Sequence, residues 1–153
     1  MPTWSVRRAF VVGGAIGGAG DILFAITFNG INGTPPMQLL QVVASGLLGE
    51  AAFDGGAATA ALGLGLHFLA CLAFAAVYVL ASGRIGFLTR RPIIAGALFG
   101  IAVFVFMRFV VLPYSAFPFP VHFRPLGTVL DLLSHMFLFG APIALAARKT
   151  RQS

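Results

Sequence analysis

Residues 57–81 read AATAALGLGLHFLACLAFAAVYVLA, a run without a carboxylate, lysine or arginine. As a helix rising 1.5 Å per residue it reaches about 37 Å, more than the roughly 30 Å hydrocarbon core of a bilayer. A stretch of that length and composition is predicted to cross a membrane rather than to pack inside a soluble domain.

Three further runs of the same kind flank it. Residues 9–28 carry Asp21 as their only charge, residues 93–113 carry Arg108 near their far end, and residues 127–147 contain Asp131 and His135. The whole chain agrees: 59% of its residues are hydrophobic and 9% charged, with a mean hydropathy of +0.97. Soluble domains carry roughly a quarter charged residues, so lipid is the solvent this surface requires. The expected fold is an all-α integral membrane protein, one transmembrane domain over residues 1–153 with four transmembrane helices and the lipid bilayer as its first partner.

The connections refine this picture. Asn29-Gly30-Ile31-Asn32-Gly33-Thr34-Pro35-Pro36 is turn chemistry. Residues 37–49 then form an apolar segment too short to cross, predicted as an interfacial or re-entrant half-helix with Gln38 and Gln41 on one face. Residues 82–92 make a short basic loop with Pro92 placed to start a helix, and residues 114–126 are rich in aromatics and prolines, as suits a segment at the headgroups.

Orientation follows from the basic residues. Arg7, Arg8, Arg84, Arg90, Arg91, Arg148, Lys149 and Arg151 fall on one side of four crossings, leaving Arg124 opposite and Arg108 within a span. The positive-inside rule then places both N and C termini in the cytoplasm. These residues are spread as topology signals rather than gathered on one face, so the net charge of +6 does not indicate nucleic acid. The Arg7-Arg8 pair ahead of the small residues Gly18-Ala19-Gly20 is reminiscent of a twin-arginine signal, but the apolar run continues to Phe28, which predicts an uncleaved first helix. Cys71 is the sole cysteine and reads as a small buried side chain.

Ionisable groups inside a span each cost at least about 2.5 kcal/mol on insertion scales, so they require partners or a use. Counted from the outer boundary, Asp131 and Arg108 lie roughly 6–8 Å deep, Asp21 and His135 roughly 10–12 Å, and His67 roughly 15 Å. All five share the outer half of the membrane, and Asp131 and His135, four apart, project to the same side. The expectation is a layered polar cluster of Asp21, His67, Arg108, Asp131 and His135, capped by Gln38, Gln41 and Glu50 from the half-helix region. Structural roles compete with this: an ion pair or snorkelling for Arg108, and interhelical hydrogen bonds for the histidines.

Three chemistries suit such a cluster. It binds an ion, a proton or a small polar ligand, without catalysis and with no cofactor, or serves within a larger membrane complex; this is the leading reading, although transport through the inner half has no relay beyond Tyr78. Alternatively, His67, His135 and Asp131 hold a divalent metal, or His67 and His135 grip haem b, although no HxxxH or HExxH motif supports a metal. The small-residue pairs Gly13/Gly17 and Gly96/Gly100 each permit close helix packing. One pair is expected to serve internal packing, leaving the other for a homo-oligomer or another membrane subunit.

Gly20-Asp21-Ile22, Gln38-x-x-Gln41-x-x-Ala44-Ser45-Gly46-x-x-Gly49, Gly63-x-x-x-His67, Arg90-Arg91-Pro92 and Val111-Leu112-Pro113 together resemble small bacterial inner-membrane proteins of the YagU-like kind. The resemblance implies a multi-pass protein of the bacterial inner membrane and transfers no catalytic residues.

Overall fold

The computed structural model describes residues 3–151, which are 82% helical and contain no strand. Helix α1 spans Val6–Ile31 and opens with Ser5 as its cap, the Ser5 hydroxyl accepting the Arg8 amide at 3.2 Å. Helix α2, Pro36–Leu48, begins on a proline, whose missing N–H is no loss at that position. It ends at Gly49, which adopts φ +60°, a left-handed conformation that favours glycine. A tight turn, Gly49–Phe53, leads into α3, Gly56–Ser82. A short helix α4, Phe87–Arg90, precedes α5, Pro92–Tyr114, and α6 runs over Pro125–Arg148.

Helices α1, α3, α5 and α6 are each long and apolar enough to cross a membrane, and each encloses one of the four apolar runs. Their outward faces carry exposed Leu23, Leu69, Val77, Ile94, Leu98 and Phe109. Apolar surface on that scale is unsuited to water and suited to lipid. The two ends of the chain meet: the Trp4 amide donates to the Lys149 carbonyl at 2.9 Å, and the Trp4 ring lies 4.6 Å from the Arg8 guanidinium and 4.4 Å from the Lys149 ammonium. The Arg151 guanidinium donates to the Gly83 carbonyl and the Tyr78 hydroxyl to the Leu88 carbonyl, tying the 83–91 loop to the same end. Eight basic residues therefore collect at one end of the bundle.

The core is built from small residues and a few large ones, among them Ala9, Ala75, Ala144, Tyr78, Phe139 and Ile143. Glycine sets the helix separations. A Cβ on Gly13 would meet Ile143 and Ala146 of α6, and one on Gly17 would sit 2.8 Å from the Phe139 carbonyl oxygen. Gly14 and Gly18 face Ala75 and Cys71 of α3 in the same way. Gly96 meets the Gly140 carbonyl and Ala141, and at Gly100 a Cβ would overlap the His135 carbonyl oxygen. Both Gly13/Gly17 and Gly96/Gly100 are thus buried inside the chain against α6. The last span is thus clamped between the first and third and uses both pairs.

Two stretches wind more loosely than an α-helix. Met107–Val111 in α5 and Ser134–Gly140 in α6 are π-helical. Each lies just ahead of a proline, Pro113 and Pro142, which removes one backbone donor and crowds the carbonyl four residues earlier. Widening the preceding turn relieves that clash.

Candidate functional site

The π-helical stretches carry Arg108, Ser134 and His135, so the distortion re-aims the polar side chains of two spans. The Arg108 guanidinium donates to Asp131 Oδ2 at 2.7 Å and to the His122 carbonyl at 3.3 Å, which ties α5 to α6 and to the connecting loop. His135 Nδ1 lies 2.9 Å from the Asp131 carbonyl oxygen, 3.3 Å from Asp131 Oδ1 and 3.6 Å from Asp21 Oδ1. All three neighbours are acceptors, so in the neutral ring the proton belongs on Nδ1 and Nε2 is bare. The Ser134 hydroxyl donates to Asp21 Oδ1 at 2.8 Å and closes the link to α1. Asp21, Arg108, Asp131 and His135 are brought together, all partly buried. Arg108 is ion-paired rather than turned out toward headgroups.

His67 stands apart from this network. Its Nε2 lies 2.9 Å from the Gly18 carbonyl oxygen and 3.5 Å from Cys71 Sγ, an interhelical bond between α3 and α1. It nevertheless borders the same cavity as Asp21 and His135, a cleft of about 420 Å³ framed by α1, α2, α3, α5 and α6. Most of the remaining wall is apolar, including Phe74, Met107 and Phe139. Cys71 also touches the cavity and is otherwise buried.

Helix α2 contributes differently from expectation. Helix α2 packs along α3 and supplies Val42, Val43, Gly46 and Leu47 to the cavity wall. Gln41 is buried but turned away from the cluster, donating to the Gly56 carbonyl at 3.1 Å and to Thr59 Oγ1 at 3.3 Å. Gln38 and Glu50 are exposed and make no side-chain hydrogen bond among the described residues. Gln38 and Gln41 therefore do not act as one face, since the tight seat of α2 on Gly63, where a Cβ would overlap the Leu40 carbonyl, buries one and leaves the other out.

Ser134 and the two π-helical stretches went unread in the sequence. A hydroxyl three residues after Asp131 and prolines at 113 and 142 within apolar runs were the available signals. Among the described residues no group of three or more His, Cys, Asp or Glu side chains is arranged to hold a metal ion. No protein-family model, curated protein or solved structure matches this chain, so its site is read from its own geometry.

Proposed function

We propose that this chain is a non-enzymatic multi-pass protein of the inner membrane that binds a small ligand at its polar cluster. The observation that carries the reading is the cavity of about 420 Å³, whose apolar walls are interrupted, among the carboxylates and imidazoles of the described residues, by Asp21, His67 and His135 alone. A concave, mostly apolar space with a few convergent polar groups is the usual form of a small-molecule site. Pairing of Arg108 with Asp131 and of Ser134 with Asp21 supports those groups from behind. The positive-inside rule, which turns the basic end of the bundle toward the cytoplasm, supports a cavity in the outer half of the membrane. On this reading α2 is a re-entrant half-helix that forms one wall of the cavity.

The test is a thermal-unfolding screen of purified protein in detergent against protons, metal ions and small polar and amphipathic molecules. At least one raises the unfolding temperature of the wild type and leaves His135→Phe and His67→Phe unmoved. A panel that shifts wild type and both variants alike contradicts the proposal.

A second reading draws on the His135 tautomer. With Nδ1 held by Asp131, the bare Nε2 has the arrangement of a histidine ligand oriented by a carboxylate, and haem or a metal between His67 and His135 would use it. Protein that is colourless and metal-free after expression with ample haem and metal ends that reading.

A further inference from the structure

The ligand-binding reading above leaves the chemistry of the ligand open, and the inference here rests on that reading and specifies it. Among the described residues, the cavity is bordered by one carboxylate, Asp21, and by no lysine or arginine. Asp21 Oδ1 is held by Ser134 at 2.8 Å, whereas Oδ2 accepts no hydrogen bond from the described residues and is not fully buried. His135 approaches Oδ1 only to 3.6 Å and is bound first to the Asp131 carbonyl at 2.9 Å. Arg108 is committed to Asp131 and stacked 5.4 Å over Phe104 and 5.7 Å over Phe123. Asp21 is therefore the one acidic side chain that the described residues present to the space, with no lysine or arginine facing it there.

The walls select among cations. Phe74 and Phe139 meet edge to face with ring centroids 6.5 Å apart, and both border the cavity beside Met107. Aromatic faces are negative and attract a cation that is already weakly hydrated. A magnesium or calcium ion requires about six oxygen ligands or retained waters, which these walls do not offer. An organic cation with its charge spread over an apolar body needs no such shell. We infer that the cavity takes a lipophilic organic cation, with its body against Phe74, Phe139 and Met107 and its positive centre at Asp21.

The experiment uses two ions of one shape and opposite charge, tetraphenylphosphonium and tetraphenylborate. Binding of each to the full chain in nanodiscs is measured by equilibrium dialysis, with empty nanodiscs subtracted. The expected result is saturable tetraphenylphosphonium binding to the wild type, weakened at least about tenfold in Asp21→Asn and retained in Asp21→Glu, with no saturable tetraphenylborate binding. Comparison of the two ions on the wild type keeps the test valid if Asp21→Asn fails to fold. Equal binding of both ions overturns the charge assignment while leaving a ligand cavity in place. Binding of neither ion also overturns the cation assignment, and the unfolding screen then decides the broader reading by itself. Unchanged tetraphenylphosphonium affinity in a folded Asp21→Asn protein overturns it as well.

Discussion

Replacing Gly100 by alanine is the smallest change that strikes both the packing and the site. The added Cβ would overlap the His135 carbonyl oxygen and crowd the His135 carbonyl carbon and Met136 Cα. All three are backbone atoms of α6, so no side chain can swing aside, and relief requires α6 to move away from α5. Overpacking of this kind costs about 1–3 kcal/mol, and a clash with backbone belongs at the upper end. Alanine in a helix returns about 0.5–1 kcal/mol relative to glycine through lower chain entropy. The net loss expected is therefore about 2 kcal/mol, or roughly thirtyfold in the unfolding constant. Gly65 supplies the control, since it is exposed on α3 and a Cβ there meets nothing within 4 Å. Gly65→Ala should be neutral or stabilising by up to about 1 kcal/mol. Both variants are compared by reversible unfolding in mixed micelles, followed by helical circular dichroism. Equal stability of the two would refute the claim that α5 and α6 touch backbone to backbone at Gly100, and with it the position assigned to His135.

Pro142→Ala should let Ser134–Gly140 tighten to a regular α-helix, turning Ser134 and His135 from Asp21; loss of ligand response with helicity retained is the expected outcome, and an unchanged response would separate the π-helix from the site. Arg108→Met leaves Asp131 without its guanidinium and should destabilise by about 1–3 kcal/mol, while Arg108→Met with Asp131→Leu should recover part of that loss. A double-mutant cycle in which the two losses simply add would show that the 2.7 Å pair does not couple the helices. Gln41→Leu strips the Gly56 carbonyl and Thr59 hydroxyl of a partner, so stability should fall by about 1 kcal/mol with ligand response intact; a selective loss of response would return Gln41 to the site.

The membrane class was legible because lipid leaves a composition signature: four uninterrupted apolar runs admit few other folds, and the helices that form enclose each of them. The polar cluster was legible in part for a related reason. An aspartate or arginine within a span must find a partner, and Asp21, Arg108, Asp131 and His135 had the right depths to find one another. Depth says nothing of azimuth, however. Gln41 shares the expected level yet faces α3, and His67 is drawn to a backbone carbonyl that Gly18 exposes by lacking a side chain. Azimuth in α5 and α6 is shifted further by the looser winding before Pro113 and Pro142, which a uniform helical repeat does not anticipate. The glycine pairs could not be assigned to inside or outside from spacing, because the same pattern serves either contact.

The most direct test of a ligand site at Asp21 and His135 is a density map of the protein purified from its own membrane into nanodiscs. The account predicts non-protein density within the cleft of about 420 Å³, in contact with Phe74 and Phe139 and within hydrogen-bond or ion-pair distance of Asp21. A cleft closed by its own side chains, or filled by lipid tails with Asp21 satisfied wholly by Ser134 and His135, would contradict it.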